Sequence, residues 1–293
     1  LLLEAMSKFL DVPKNQIIFG NGSNEIIELA FRAYLKEGDE VLLAEPSFLV
    51  YKLAAQAAGA RQAAVPLKNF RYDLETMARK ISSRTRIVCI ANPDNPTGSY
   101  VTAVELERFL KKVSSDTLVI LDEAYWEFVD ADDFPNSFGY LKRGNILILR
   151  TFSKAYGLAG LRMGYGAASP AIIDALHRTR QPFNVNSIAQ TAAEAALKDQ
   201  SHLKKTRAVV WEGKKFWYRE FDRMGLEYIP TQTNFVLVNA RENGAALFQR
   251  LLKKGVIIRD MKAYGLDQFV RITIGTSEEN RRCLRALQER KRQ

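Results

Sequence analysis

Six apolar, β-branched runs mark the chain between Gln16 and Ser169: QIIFG, EVLLAEP, RIVCIANP, LVILDEAY, NILILRTFS and LRMGYGAAS. Their apolarity is continuous rather than alternating, the pattern of strands buried on both faces. Helical patterns, such as Glu25 to Leu35 and Val104 to Val113, lie between them. This arrangement predicts an α/β fold: a mostly parallel sheet flanked by helices.

Further along, Ser187 to about Met224 reads as long helix without strand signals. NFVLVNA, a helix from Ala245 to Lys254, GVIIRDM, FVRITIGT and a terminal helix then follow, an α+β pattern. The expected organisation is a large domain over residues 1–200, then a connector helix and a small C-terminal domain over 201–293. A chain of 293 residues has room for both.

Composition narrows the function classes. No apolar run approaches the roughly 18 residues that a membrane-spanning helix needs, so no membrane partner is expected. The opening LLLEAMSKFLDVP carries Glu4 and Lys8 inside its apolar pattern and reads as an amphipathic helix rather than a signal peptide. It has no initiator Met and starts within the helical pattern, which points to a chain beginning inside a longer protein. Cys89 sits in a strand-like run far from Cys283, which fits a reducing, cytoplasmic setting. His177 and His202 are the only histidines, so neither a zinc site nor a histidine-based triad is expected. The net charge of +10 is scattered except in ENRRCLRALQERKRQ, where Cys283, Leu284 and Leu287 form one face of a solvated amphipathic helix. No helix-turn-helix extension is visible, and nucleic acid is not an expected partner.

In open α/β sheets the ligand lies beyond the carboxyl ends of the strands, so the segments following each run carry the chemistry. They are GNGSNE, EPSF, NPDNPTG, DEAY and TFSK. GNGSNE places two glycines before Ser23 and Asn24, candidate N-caps of a helix start suited to an anion. It is neither GxGxxG nor a P-loop, so the DE of DEAY is not read as a nucleotide-hydrolysis motif. Asp122 ends an apolar run at the rim of the core and needs a cationic partner, either a protonated ring nitrogen or a structural Arg or Lys. Lys154, at a strand end in partly apolar surroundings, is suited to condense with a carbonyl. Thr151, Ser153 and Arg162 offer two hydroxyls and a guanidinium to a phosphate. Together the set calls for an aldehyde cofactor with a phosphate and a basic ring nitrogen, and pyridoxal 5′-phosphate has all three groups.

NPDNPTG, DEAY and TFSKAYGLAGLRMGY, in that order, resemble the fold type I pyridoxal-phosphate aminotransferases. GNGSNE and VIIRDMKAYGLDQFVRITIGTSEEN are similar to the histidinol-phosphate aminotransferases among them, over a stretch from the first residue to about Leu287. The resemblance implies that Lys154 binds the cofactor aldehyde and that Asp122 partners the pyridinium nitrogen. It implies that Asn95 and Tyr125 hydrogen-bond the ring oxygen, and that Phe48 stacks on the ring where many relatives have Tyr. Ser23, Asn24, Ser153 and Arg162 would hold the phosphate, with Thr151 assisting. Arg271 would pair with the α-carboxylate of glutamate or 2-oxoglutarate, and Arg259 would meet the phosphate of histidinol phosphate. The implied activity is amino transfer between L-histidinol phosphate and 2-oxoglutarate by a homodimer. The family's amino-terminal segment, which covers the substrate and sends a tyrosine to the neighbouring subunit's cofactor phosphate, is absent from this sequence. A polypeptide that lacks it is expected to retain cofactor poorly and to be poorly active, whereas one in which the segment is only disordered is expected to be a complete enzyme. An aromatic amino-acid aminotransferase, a threonine-phosphate decarboxylase and a non-catalytic regulator on the same framework are the alternatives.

Overall fold

The computed structural model describes residues 1–289 and contains two sheets. The larger has seven strands: β1 (Ile17–Asn21), β2 (Glu40–Glu45), β3 (Arg61–Pro66), β4 (Thr85–Ala91), β5 (Leu118–Asp122), β6 (Ile146–Thr151) and β7 (Met163–Ala168), in the order β1-β7-β6-β5-β4-β2-β3. β3, β2, β4, β5 and β6 pair in parallel, whereas β7 is antiparallel to both β6 and β1. The continuous apolarity has a direct structural reading. Ile87, Cys89, Ile120 and Leu147 point into one buried cluster, while Val88, Ile90, Val119 and Ile148 point into another on the opposite face.

Helices α1 (Leu2–Leu10), α2 (Ser23–Tyr34), α3 (Leu49–Ala57), α4 (Leu74–Lys80), α5 (Ala103–Leu110) and α6 (Pro170–Thr179) accompany this sheet. Ile26, Ile27, Phe31 and Ile172 of α2 and α6 cover one face, and Met77, Leu106 and Phe109 of α4 and α5 cover the other. The expected continuous helix from Ser187 is two helices, α7 (Ser187–Lys198) and α8 (Gln200–Met224). The break is at Asp199, whose carboxylate accepts the His202 backbone N–H at 3.0 Å and caps α8.

The second sheet is antiparallel, in the order β10-β11-β9-β8, from β8 (Tyr228–Ile229), β9 (Phe235–Asn239), β10 (Arg259–Asp260) and β11 (Phe269–Thr273). GVIIRDM, expected as a full strand, pairs only through Arg259 and Asp260. α9 (Gly244–Leu252) and α10 (Ser277–Gln288) complete this part. Cys283 and Leu287 of α10 are buried and Leu284 is partly so, whereas Arg290, Lys291 and Arg292 of the basic end lie outside the described residues. One apolar cluster joins Trp217, Phe221, Phe235 and Ile272 to Leu2 and Met6 of α1 and to Tyr125, Phe128 and Phe152 beneath the large sheet's edge. Among the described residues no helix is long and apolar enough to cross a membrane.

Topology explains why chemistry collects at one edge. β2, β4, β5 and β6 run in the same direction, and β1 joins them because both it and β6 oppose β7. Their carboxyl ends therefore share an edge with the amino end of β7, and the turn before β7 brings Arg162 there. Gly22 N–H donates to Arg162 O at 2.7 Å, tying the two strand ends together.

Candidate active site

All five polar segments line one cavity of about 190 Å³ at this edge. Gly22, Ser23 and Asn24 come from the first, Phe48 from the second, Asn95 from the third, Asp122 and Tyr125 from the fourth, and Thr151, Ser153 and Lys154 from the fifth, with Arg162 closing the ring.

One end is an anion cup. α2 begins without any side-chain cap, and its N-cap is Gly22, not Ser23 or Asn24 as the sequence reading expected. The two polar residues are instead in the first helical turn, where backbone N–H groups are unpaired by the helix and attract negative charge. Gly22 has φ +76°, which favours glycine, and a Cβ there would sit 2.6 Å from Arg162 Nη2 and displace the guanidinium. Arg162 is left-handed at φ 57°, and its Nη1 donates to Ser153 Oγ at 3.4 Å and Ala159 O at 3.1 Å. The Thr151 hydroxyl donates to Met163 O and accepts the Ser153 N–H at 3.1 Å, shaping the turn. Hydroxyls, helix-start N–H groups and one guanidinium form the donor set of a phosphate site.

At the cavity floor Asp122 is buried, and its Oδ2 accepts the Tyr51 hydroxyl at 2.8 Å while Oδ1 accepts the Ala124 N–H at 3.2 Å. Burial raises its carboxyl to about 6, against the opposing bond from Tyr51 and the charge of Lys154. Phe48 meets Tyr51 edge to face, ring centroids 5.5 Å apart. Burial pushes the Tyr125 phenol up to about 12, so it remains a neutral donor. Lys154 Nζ lies 5.3 Å from the centre of the Tyr125 ring, and burial, followed by the charge of Arg271, holds its amine below the ordinary lysine range.

From the small sheet, Arg271 Nη1 donates to Asn95 Oδ1, and its guanidinium stacks 4.5 Å from the Phe235 ring centre. Arg271 thus reaches the site through Asn95 rather than by lining the cavity. Arg259 is exposed and does not line it either; it lies opposite Arg271 in register on β10. The charges of both arginines act on the Tyr264 hydroxyl. Tyr264 shares with Phe48 and Tyr51 an adjoining cavity of about 280 Å³.

The sequence reading missed Tyr51, Asp94 and Tyr264. Tyr51 follows Phe48 by three residues, which puts the two on one face as α3 begins. Asp94 is fully buried, accepts from Ser47 Oγ at 2.7 Å and Thr97 Oγ1 at 2.8 Å, and holds the loop that presents Asn95. The acid inside NPDNPTG was its signal, because a buried carboxylate in a turn must satisfy its oxygens locally.

The residues fit a phosphorylated pyridine aldehyde: an anion cup at one end, an acid at the floor, an aromatic ring on the wall and an amine between them. The family model described as "Aminotransferase class I and II" matches residues 1–287. The chain is 49% identical over 290 residues to a histidinol-phosphate aminotransferase of Moorella thermoacetica, covering 98% of this chain and 75% of the relative. It is 46% identical to one from Anaeromyxobacter sp., covering 98% and 80%. Among solved structures, histidinol-phosphate aminotransferase of Sinorhizobium meliloti in complex with pyridoxal-5'-phosphate superposes with a TM-score of 0.93 at 30% identity, covering 98% of this chain and 80% of that one. L-threonine-O-3-phosphate decarboxylase of Porphyromonas gingivalis gives 0.86 at 26% identity, covering 98% and 86%.

Proposed function

Because this chain belongs to the class I and II aminotransferases, we propose that it carries the amino group of L-histidinol phosphate to 2-oxoglutarate, yielding imidazole acetol phosphate and L-glutamate in histidine biosynthesis. It is a pyridoxal-phosphate-dependent transaminase. When bound, the cofactor supplies an aldehyde carbon that carries the amino group and a cationic ring that takes up the electron pair left at the substrate α-carbon.

The chain's own residues do the rest. Ser23, Asn24, Ser153 and Arg162 hold the phosphate, with Thr151 bracing the turn beneath. Phe48 would cover the ring, and Asn95 and Tyr125, which line the same cavity, would donate to its hydroxyl oxygen. Asp122 keeps the ring nitrogen protonated; once that cation faces it, the charged carboxylate is favoured over the neutral form that burial alone prefers. Lys154 Nζ, the amine lining the cavity, would take the proton from the substrate α-carbon and return one to the cofactor carbon that carries the amino group. Its lowered basicity leaves more free amine near neutral pH than an exposed lysine would. Arg271 pairs with the carboxylate of glutamate or 2-oxoglutarate, and Arg259 with the phosphate of histidinol phosphate.

The observation that carries the substrate assignment is the register pairing of Arg259 with Arg271 on β10 and β11, with the charges of both acting on the Tyr264 hydroxyl. A substrate with anionic groups at both ends of its reaction cycle fits them. Competing the donors tests it: amino transfer from histidinol phosphate should exceed transfer from phenylalanine or tyrosine. The reverse order, or carbon dioxide release from threonine phosphate, would replace the assignment. Borohydride trapping followed by peptide mapping should mark Lys154.

The reading extends to a homodimer in the cytoplasm. Phe183 and Ile188 are 97% and 70% exposed, apolar surface suited to a second copy, and Cys89 and Cys283 are buried free thiols. Sedimentation of the loaded enzyme at a monomer's mass would remove the dimer.

A further inference from the structure

Behind Asp122 lies a buried charge cluster with no part in the chemistry above. Alternation along β5 and β6 turns Asp122 and Thr151 to the cavity and their neighbours Glu123 and Arg150 away from it. Arg150 is 5% exposed, and its Nη2 and Nε lie 2.8 and 2.9 Å from Glu123 Oε2. Its guanidinium carbon sits 3.7 Å from the Trp126 ring centre and 4.8 Å from that of Phe138. Glu127 is buried, and the charges of Arg150 and Arg207 both act on it; Tyr156 and Tyr165 are the other ionisable neighbours. Tyr165 is also the register partner of Arg150 on β7.

One side chain thus grips Glu123 and Trp126, and acts electrostatically on Glu127, from a backbone position adjoining Thr151 and four residues before Lys154. We infer that Arg150 is a positioning residue for amino transfer: it fixes the segment bearing Asp122 and Tyr125 against the turn bearing Thr151, Ser153 and Lys154, and so sets the spacing between the acid and the amine. The inference rests on the aminotransferase reading, because that reading gives the spacing its meaning.

Stability alone is a weak account of the arrangement. A buried ion pair is often no more stabilising than apolar residues of the same volume, since both charges must leave water. What apolar residues cannot reproduce is the orientation: two N–H donors on one carboxylate oxygen, with the guanidinium carbon 3.7 Å from the centre of the Trp126 ring and 4.8 Å from that of Phe138. Small displacements of catalytic groups are costly, on the order of 10²-fold for about 1 Å.

Three variants test it: R150M, R150K and W126L. Trp126 is 38% exposed, so W126L removes the stacking partner with little disturbance of the core. Each is loaded with pyridoxal phosphate, and three quantities are read: the pH midpoint of the bound cofactor's visible absorbance, kcat, and KM for 2-oxoglutarate. In R150M the midpoint should move by about half a pH unit or more, since it reports the surroundings of Lys154 and Asp122. Its kcat should fall about tenfold or more while KM changes little, because Arg271 is untouched. R150K keeps the charge on Glu123 and should recover part of both, and W126L should fall between R150K and the parent. If R150M does not fold, R150K and W126L carry the comparison. Variants that melt earlier yet keep the parent's midpoint and kcat would overturn the inference and leave Arg150 a purely structural residue. A parent protein that gains no visible absorbance with pyridoxal phosphate would instead defeat the aminotransferase reading.

Discussion

Tyr51 donates its hydroxyl to Asp122 Oδ2 across 2.8 Å, and both groups are buried. The phenol comes from α3, so a helix that follows β2 supplies the donor for the acid at the end of β5. This bond is the leading influence opposing the burial that raises Asp122 to about 6. Tyr51→Phe removes the donor and leaves the ring, so the Asp122 carboxyl should rise further. A hydrogen bond to a charged group is worth about 1.5–3 kcal/mol, or roughly 1 to 2 pH units. The acid limb of cofactor uptake by the cofactor-free protein should therefore move to higher pH by about that much. An unmoved limb would mean that Tyr51 only packs.

Gly22→Ala should damage the anion cup rather than the sheet. At φ +76° and ψ 166°, a region that glycine alone adopts readily, an alanine is strained by about 1–3 kcal/mol, and its Cβ would lie 2.6 Å from Arg162 Nη2. Arg162 can swing away, but then it leaves Ser153 and the phosphate position. The dissociation constant for pyridoxal phosphate, measured by fluorescence titration, should rise about tenfold or more, as loss of a charge-assisted bond implies. Pyridoxal without its phosphate should bind parent and variant alike; a variant that lost both equally would place the damage elsewhere.

Legibility in the sequence followed burial. β4 was readable because Ile87 and Cys89 face one helical layer and Val88 and Ile90 the other, which leaves no polar position to break the run. β3 was not, because it is an edge strand: Arg61 and Pro66 are exposed, and two alanines give little apolar signal. Lys154, Asp122 and the cup residues were readable as a group because each lies at or beside the end of a recognisable strand. Tyr51 and Arg150 were not, since their roles depend on partners 71 and 27 residues away, fixed only when α3 docks and β5 pairs with β6. The cap of α2 is Gly22 rather than Ser23 or Asn24: Ser and Asn are the commoner caps, whereas here the turn needs a positive φ.

Glu127→Gln should change how stability depends on pH. Burial raises the Glu127 carboxyl from its ordinary 4.5 to about 7 in the folded protein. Between these values the unfolded chain is ionised while the folded one keeps its proton. The stabilisation is therefore complete below about 4.5 and is lost as the pH rises through about 7. Glutamine cannot ionise and escapes that loss, which for this shift is on the order of 3 kcal/mol. Urea unfolding of the cofactor-free proteins should show the variant gaining on the parent from pH 4.5 to 7.5. Parallel stability curves would mean that Glu127 is already ionised in the folded state.

Arg271 has two separable effects, and two substitutions divide them. Its charge is the second cause, after burial, of the lowered Lys154 basicity, and its planar fork bonds Asn95 and suits a carboxylate. Arg271→Ala removes both. Lys154 should then move back toward the ordinary lysine range, so that acetic anhydride labels it in the cofactor-free protein only at higher pH. KM for 2-oxoglutarate should also rise, by about 30-fold or more if a charged pair worth at least 2 kcal/mol is lost. Arg271→Lys keeps the charge near Lys154 but not the fork. Its labelling profile should stay close to the parent's while KM remains high. If the lysine variant instead restored KM and left the labelling profile shifted, the guanidinium would be acting on Lys154 through geometry rather than charge, and the assignment of Arg271 to the substrate carboxylate would fail.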